Sequence, residues 1–247
     1  MKIRILKYLI ISCLIFSCKK ENAGDCFKSN GRIVTQVRNT GAFEEIKVYD
    51  KIDMNIIQGA EFKVEVSAGE HLLSNIHTIV TDGILRIKNN NKCNFVRGYK
   101  KRITVNITVP RIEKVDNEGV GTIRFIGDYV QDTIFIRAEN SGDIYVRGTY
   151  NQIQTSSHGN GDIYLEGSAD RMYVYMFGTN YLRAGNFTVN NYLFVETLSI
   201  GDCHVKAPAN GLFQCNIWRS GNVYYSGTPA QINDFSDGTA KGKLIKE

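Results

Sequence analysis

The sequence predicts an all-β protein whose chain winds as a parallel β-helix, a solenoid with rungs of about 20 residues. The main observation is a motif that recurs from residue 119 onward, most clearly as NSGDIYVRG at 140–148 and GNGDIYLEG at 159–167. Weaker copies lead from positions 121, 179, 201 and 221, so the spacing stays close to 20 residues. Within each copy apolar residues alternate with other residues, which is the period of a strand and not of a helix.

A second alternating run precedes each copy of the motif, as at Ile134, Ile136 and Ala138. Each rung therefore has two strands joined by turns that are rich in Gly, Asn, Asp and Ser. A unit of this length is too short for a helical crossover, so each strand is expected on its own copy one turn earlier, about 4.8 Å along the axis. A sandwich of antiparallel hairpins is the alternative, but it does not require the same residue types at the same rung positions.

The pattern divides the chain into a signal peptide at 1–17, a polar tether at 18–38 and a single strand-rich domain at 39–247. Residues 39–117 alternate cleanly but with a less regular period, for example at Ile52, Met54 and Ile56. Residues 118–247 carry the regular rungs. Because no low-complexity linker separates these two stretches, we expect one continuous domain.

The first 17 residues have the features of an export signal. Basic residues at positions 2, 4 and 7 precede an apolar run at 8–16 that is too short to span a bilayer. The run ends at Ser17 and Cys18, which resemble a bacterial lipobox. The sequence therefore predicts an outer-membrane lipoprotein, attached to the membrane through acyl chains on Cys18 and displayed on the periplasmic or the cell-surface face. An ordinary secretory signal that happens to end in cysteine is the alternative.

The export signal also accounts for most of the excess positive charge. Residues 1–17 hold three of the 30 Lys and Arg residues and none of the 25 Asp and Glu residues. The remainder of the chain is therefore close to neutral. Such a balance gives no reason to expect a nucleic-acid partner.

Four cysteines follow the signal and its lipobox: Cys26, Cys93, Cys203 and Cys215. An exported compartment permits disulfides, and four cysteines allow three pairings among which the sequence does not choose. Cys203 and Cys215 occupy inward rung positions that hold Ile, Val or Phe in other copies. We interpret these two as small buried hydrophobic residues.

Residue types that support catalysis are few and scattered. The four histidines lack the spacing of a metal site, and no nucleophile elbow or triad order is present, so we expect no metal and no cofactor. Asp143 and Asp162 would lie one rung apart, about 5 Å, which suits the carboxylates of a retaining glycosidase. They also sit beside turn glycines, where aspartate serves the backbone. We therefore predict a protein that is not an enzyme, with a polysaccharide lyase or hydrolase as the alternative.

A row of outward positions is the candidate binding surface. Aromatic and arginine side chains on a flat sheet stack on sugar rings or pack against a partner protein, and they also stabilise neighbouring strands without any partner. The sequence leaves both readings open. We select Tyr145, Tyr164, Arg147 and Tyr224 as the candidate contacts. The successive outward positions are predicted to hold Arg124, Tyr145, Tyr164, Leu182, His204 and Tyr224, with Tyr150, Tyr173 and Tyr175 nearby.

Several motifs together resemble the auto-transporter adhesin family with a head GIN domain, which is common among exported proteins of Bacteroidetes. These motifs are MNIIQG at 54–59, the alternating runs at 82–87 and 103–110, and the Ser-Gly-Asp-Ile repeats. The resemblance implies a β-helical fold, an exported or lipid-anchored form, and a role in adhesion or surface assembly. We therefore predict an adhesin-like module that contacts a surface glycan or an envelope protein. A purely structural scaffold that assembles end to end remains a further alternative.

A short pattern at Asp132, Thr133 and Ile134 matches the acceptor for O-glycosylation in Bacteroidetes. Matches of this length arise by chance. The sequence leaves open whether Thr133 is glycosylated.

Overall fold

The computed structural model describes residues 29–92 and 102–247. In this part of the chain, 18 strands join in one hydrogen-bonded system, with a single 3₁₀ turn at Leu73–Asn75. The strands are β1 (Ile33–Arg38), β2 (Glu45–Val48), β3 (Ile52–Gln58), β4 (Lys63–Gly69), β5 (Ile76–Thr81), β6 (Ile84–Asn89), β7 (Ile103–Val109), β8 (Lys114–Asn117), β9 (Ile123–Ile126), β10 (Tyr129–Ala138), β11 (Ile144–Ser157), β12 (Ile163–Gly178), β13 (Leu182–Ser199), β14 (Cys203–Lys206), β15 (Leu212–Ile217), β16 (Val223–Ser226), β17 (Gln231–Asp234) and β18 (Leu244–Lys246).

The predicted parallel β-helix is confirmed. Strands β10, β11, β12 and β13 pair in parallel, each with the strand one turn later, and the solenoid has about seven turns. The repeated motif fixes the register, because Ile144 of one copy lies opposite Ile163 of the next. Identical side-chain types therefore lie directly above one another, which is what the recurring sequence pattern requires.

Each rung has two long legs, which stack into two parallel sheets. A short segment between the legs also pairs in parallel, as residues 129–131 do with residues 148–150. Sheet A contains, in spatial order, β7, β3, β9, the first halves of β11, β12 and β13, and then β14, β16 and β18. Sheet B contains β6, β2, β8, β10, the second halves of β11, β12 and β13, and then β15 and β17. The chain bends between the legs at glycines such as Gly167. This residue has φ of +114°, and a Cβ there would lie 1.9 Å from the Gly148 carbonyl oxygen.

The core is a set of inward rows between the sheets. Burial of each of these side chains contributes about 1.5–3 kcal/mol, so the rows supply most of the stability. Two predicted orientations are wrong. Leu182 points inward because it pairs with Ile163, which places Arg183 in the outward position, and Tyr150 is buried, with 4% exposure. The inward row of sheet A contains Ile123, Ile144, Ile163, Leu182, Cys203 and Val223, all of them buried.

The N-terminal stretch joins the solenoid out of chain order. Strand β2 lies between β6 and β8, and β3 lies between β7 and β9, so the β2–β3 rung inserts ahead of the regular rungs. Strands β1, β4 and β5 add antiparallel pairings, β1 with β4, β4 with β7 and β5 with β6. The weaker period of residues 39–117 reflects this mixture of parallel and antiparallel neighbours. The last six residues of the segment 18–38 form β1, which pairs with β4.

Two of the four cysteines that follow the lipobox lie within the described residues. Cys203 and Cys215 are buried and free, which confirms their inward positions. Burial raises the pKa of the Cys215 thiol to about 12, so it remains an uncharged hydrophobic side chain. Cys18, Cys26 and Cys93 lie outside the described residues, and with them the predicted lipidation site.

Candidate functional site

One outward row runs the length of the regular rungs on sheet A. Each member lies opposite the next in the parallel register, so the row is continuous across six strands. Three of the four predicted contacts belong to it. The outward row consists of Arg124, Tyr145, Tyr164, Arg183, His204 and Tyr224.

The side chains of the outward row form two stacks. In the first stack the Arg124 guanidinium lies 4.8 Å from the centre of the Tyr145 ring, and the Tyr145 and Tyr164 rings stack at 4.4 Å with an angle of 8° between their planes. In the second stack the His204 and Tyr224 rings lie 4.8 Å apart at 11°. Both stacks follow the strand spacing, because parallel pairing places equivalent side chains about 4.8 Å apart.

Arg183 interrupts the row between the two stacks. Its guanidinium turns sideways to lie 5.2 Å from the centre of the Tyr181 ring, and its Nε atom is 3.9 Å from an Asp162 carboxylate oxygen. The rings of Tyr164 and His204 are therefore separated by two strand spacings, about 9.6 Å, with no ring in the intervening position. An open cavity of about 210 Å³ lies at this place. We call it the gap; its lining residues are Tyr164, Leu165, Glu166, Arg183, Gly185, Asn186 and His204.

An irregularity in the sheet accompanies the gap. The pairing of β12 with β13 shifts register between Tyr164 and Gly167, and the pairing of β13 with β14 shifts between Ala184 and Thr188. The extra residues in β13 include Gly185. A Cβ atom added to Gly185 would have no described atom within 4 Å. Such bulges redirect side chains and often lie next to functional sites. Here the bulge opens the surface where the stack is broken.

Charged and polar groups surround the gap. The Glu166 carboxylate, the Arg183 guanidinium and the Asn186 amide are exposed at its lining. Burial, with the Asp162 carboxylate nearby, raises the pKa of the Tyr164 phenol, against an opposing hydrogen bond with Arg183. The site therefore offers both hydrogen-bond donors and acceptors between two ring walls.

Arg147 belongs to the adjacent row instead of the outward row. It lies opposite Glu166 in the register, and its Nε atom donates to Asp128 at 2.7 Å. The hydrogen bond to Asp128 raises the pKa of the Arg147 guanidinium. The structure thus places this predicted contact beside the row, already paired.

Sheet B carries a second group of aromatic residues, which we call the aromatic cluster. The Tyr173 ring is tilted by 59° against Tyr192 and by 45° against Phe194, and the Tyr175 ring is tilted by 52° against Phe194. All four rings are partly buried. The sequence indicated Tyr173 and Tyr175 but missed Tyr192 and Phe194. The aromatic cluster consists of Tyr173, Tyr175, Tyr192 and Phe194.

Asp143 and Asp162 serve the turns between rungs. An Asp143 oxygen accepts a hydrogen bond from the backbone N–H of Asp162 at 3.0 Å, and an Asp162 oxygen accepts one from Tyr181 at 2.9 Å. Asp202 holds the next turn in the same way, accepting from the backbone N–H of Asn222 at 2.8 Å. Each side chain thus ties one turn to the next, in agreement with the structural interpretation of these carboxylates.

Residues 29–92 and 102–247 also bear on metal binding and membrane crossing. These residues contain no group of three or more His, Cys, Asp or Glu side chains arranged to hold a metal ion. In the same ranges, no helix has the length and apolar character needed to cross a membrane.

Sequence reasoning missed most of the gap. The predicted row does not include Arg183, Glu166, Gly185 and Asn186, because it places Leu182 in the outward position of that rung. Two signals were available. Leu182 and Ala184 alternate as an inward pair would, and β13 carries extra residues compared with the earlier copies.

The fold is a β-solenoid, and the outward row gives it a repeating surface of aromatic and charged side chains. The chain belongs to the family described as putative auto-transporter adhesin, head GIN domain, whose family model matches residues 42–229. This membership supports an adhesin-like role and an envelope or surface location. Comparison with curated protein sequences finds no match.

Solved structures share the fold. A putative adhesin from Bacteroides fragilis is 19% identical, with a TM-score of 0.77 over 87% of this chain and 97% of its own. A putative adhesin from Parabacteroides distasonis is 16% identical, with a TM-score of 0.67 over 88% of this chain and 98% of its own. A protein from the same species, described as a putative lipid binding protein, is 16% identical, with a TM-score of 0.66 over 87% and 98%. Similarity at this level of identity establishes the solenoid fold alone.

Proposed function

We propose that this protein is a non-catalytic, lipid-anchored module of the outer membrane that binds a surface glycan through the outward row. The observation that carries the proposal is the row itself, six aligned side chains on a rigid sheet, interrupted by the gap. The family membership supports the adhesin-like part of the proposal.

A rigid row of this kind suits a polymer of repeating units. The rung spacing fixes the positions of the side chains before any ligand arrives, so little conformational entropy is lost on binding. Aromatic side chains provide apolar area together with hydroxyl groups at their tips, and Arg124 and Arg183 add hydrogen-bond donors. A chain of sugar rings presents both CH-rich faces and hydroxyls, which match these two properties.

The glycan-binding proposal is tested with the double variant Tyr145→Ala/Tyr164→Ala. Wild type and variant are compared on an array of bacterial and host surface glycans. Loss of the ring contacts, each about 0.5–1.5 kcal/mol beyond buried area, should weaken binding by about tenfold or more. Circular dichroism controls for folding, since both side chains lie outside the core. Failure of the wild type to bind any glycan, or equal binding by the variant, contradicts the proposal.

The lipid anchor rests on Ser17 and Cys18 after the short apolar run. Several acyl chains anchor a protein stably, because each buried CH₂ contributes about 0.8 kcal/mol. Cys18→Ser should therefore release an unacylated protein into the soluble fraction. Mass spectrometry of the mature N-terminus and membrane fractionation measure the result. A variant that stays in the membrane fraction, or a wild type without lipid, contradicts the anchor.

A further inference from the structure

Tyr164 and His204 flank the gap two strand spacings apart, about 9.6 Å, and Arg183 holds the row position between them. The stacked pairs on either side of it have ring centres 4.4 Å and 4.8 Å apart. A ring placed midway between Tyr164 and His204 would lie about 4.8 Å from each, which is within the distance at which ring systems stack. One inserted ring would therefore join the two stacks into a single continuous column.

We propose that the gap is a binding subsite for one pyranose ring of a glycan, held between the Tyr164 and His204 rings. The subsite rests on the proposed glycan-binding function. It is the position at which one sugar unit would contact an aromatic ring on each side. The remaining members of the outward row would then contact neighbouring units along the axis of the solenoid.

The lining of the gap favours a sugar over an aromatic side chain of a protein partner. Glu166, Arg183 and Asn186 would be shielded from water by an inserted ligand. An aromatic side chain would leave these groups without hydrogen-bond partners, at a cost in free energy. Pyranose hydroxyls accept from Arg183 and Asn186 and donate to Glu166, while the CH-rich ring faces contact the two walls.

The bulge in β13 explains why this rung differs from the others. The register shifts next to Tyr164 and Ala184 place Gly185 at the cavity wall in a backbone conformation outside the left-handed region. Because Gly185 carries no side chain, the cavity stays open. A large side chain at this position would fill the gap without a clash with the described atoms around its Cβ.

Gly185→Tyr is therefore the blocking variant. Gly238→Tyr is the matched control, because Gly238 also has no described atom within 4 Å of an added Cβ and is not a lining residue of the gap. The probes are the methyl pyranosides of glucose, galactose, mannose, N-acetylglucosamine and glucuronate. Saturation-transfer NMR on the intact protein should detect at least one of them with wild type and Gly238→Tyr, and should lose that signal with Gly185→Tyr.

A second pair of variants tests the contribution of the His204 ring to the subsite. His204→Ala should weaken the bound pyranoside about tenfold, whereas His204→Phe should retain a stacking wall and most of the affinity. Signals that persist in Gly185→Tyr, or the absence of any pyranoside signal, overturn the subsite. N-acetyltyrosinamide serves as the aromatic probe, and its binding in the gap without any pyranoside binding also overturns the subsite.

The failure of the subsite is distinguishable from that of the proposed function. An array glycan that loses binding to Tyr145→Ala/Tyr164→Ala but keeps binding to Gly185→Tyr overturns the subsite and leaves the outward row as the contact. The absence of any glycan bound by wild type overturns both.

Discussion

The outward row of sheet A and the aromatic cluster of sheet B present similar side chains on equivalent parallel strands, yet the rings are arranged differently. In the outward row the ring planes are nearly parallel, at 8° and 11°, whereas in the aromatic cluster they are tilted by 45° to 59°. Similar aromatic content therefore gives two different ring arrangements. The two surfaces differ in whether each ring packs against neighbouring rings on several sides or leaves one face uncovered.

The cause lies in how many rows the aromatic residues occupy. In the cluster, Tyr173 and Phe194 share one row, while Tyr175 and Tyr192 lie in the two rows beside it, so each ring packs sideways. In the outward row the rings have aligned neighbours along the axis only. Tyr164 and His204 therefore each keep one ring face toward the gap, which is why the proposed ligand contact lies on sheet A, whereas the rings on sheet B pack against one another.

The largest loss of stability is expected from a substitution in the core beneath the outward row, and not from one in the row itself. Ile144 is fully buried, whereas its neighbour Tyr145, a member of the outward row, is only partly buried. Ile144→Asp loses the burial energy and places a charge in the core, so we expect it to lose at least about 3 kcal/mol of unfolding free energy. Tyr145→Asp should lose less, up to about 2 kcal/mol, because it removes only the contacts of the ring with Arg124 and Tyr164. Urea denaturation measures both, and equal midpoints would show that the assigned orientation is wrong.

A smaller effect compares the structural roles of the two aromatic surfaces. Tyr173 contacts two rings, Tyr192 and Phe194, whereas Tyr164 stacks on Tyr145 alone. At about 0.2–1 kcal/mol for each cross-strand pair, Tyr173→Ala should lose up to about 2 kcal/mol and Tyr164→Ala about half as much. The same denaturation experiment gives the ranking. A greater loss for Tyr164→Ala would place the structural role on sheet A instead.

The smallest expected effect is a pH dependence on sheet B. His158 stacks on Phe177 at 4.7 Å, and burial together with the Arg137 guanidinium lowers the pKa of its imidazole, against an opposing contribution from Asp116. The folded state then binds this proton less tightly than the unfolded state does. Its contribution to stability is present above the ordinary histidine pKa of about 6.5 and is lost as the pH falls below that value.

His158→Phe is the variant for this measurement, because it keeps a ring against Phe177 without a titrating group. Between about pH 7 and pH 5 the unfolding free energy of wild type should fall slightly more than that of the variant. The effect is small because the His158 side chain is exposed to solvent. An identical pH dependence in the two proteins would remove His158 as its source.

The regular rungs were predictable because one pattern repeats with one register. The motif around Ile144 and Ile163 determined the strand direction, the inward row and the positions of Tyr145 and Tyr164. Two parts were not predictable. The insertion of β2 and β3 ahead of β8 and β9 depends on long-range pairing, which leaves no local period in the sequence. The wrong outward assignment of Leu182 has a different cause, the bulge in β13, which shifts the register of that strand.

The gap was missed for the same reason. A bulge adds residues without changing the types of residue on either side, so it leaves no clear mark in the sequence. Only the alternation of Leu182 and Ala184 shows that both point inward and that Arg183 takes the outward position. The aromatic cluster was half found. Tyr173 and Tyr175 were visible as outward residues of one strand, whereas Tyr192 and Phe194 join them only through the pairing of β12 with β13.

The most direct test of the central claim, that ligand contact belongs to the outward row, compares two double variants in one binding assay. The measured quantity is the Kd for a glycan that the wild-type protein binds. Tyr145→Ala/Tyr164→Ala should raise this Kd by about tenfold or more. Tyr173→Ala/Tyr192→Ala should leave it unchanged while lowering the unfolding free energy. Weakened binding by the sheet B variant together with unchanged binding by the sheet A variant would contradict the account.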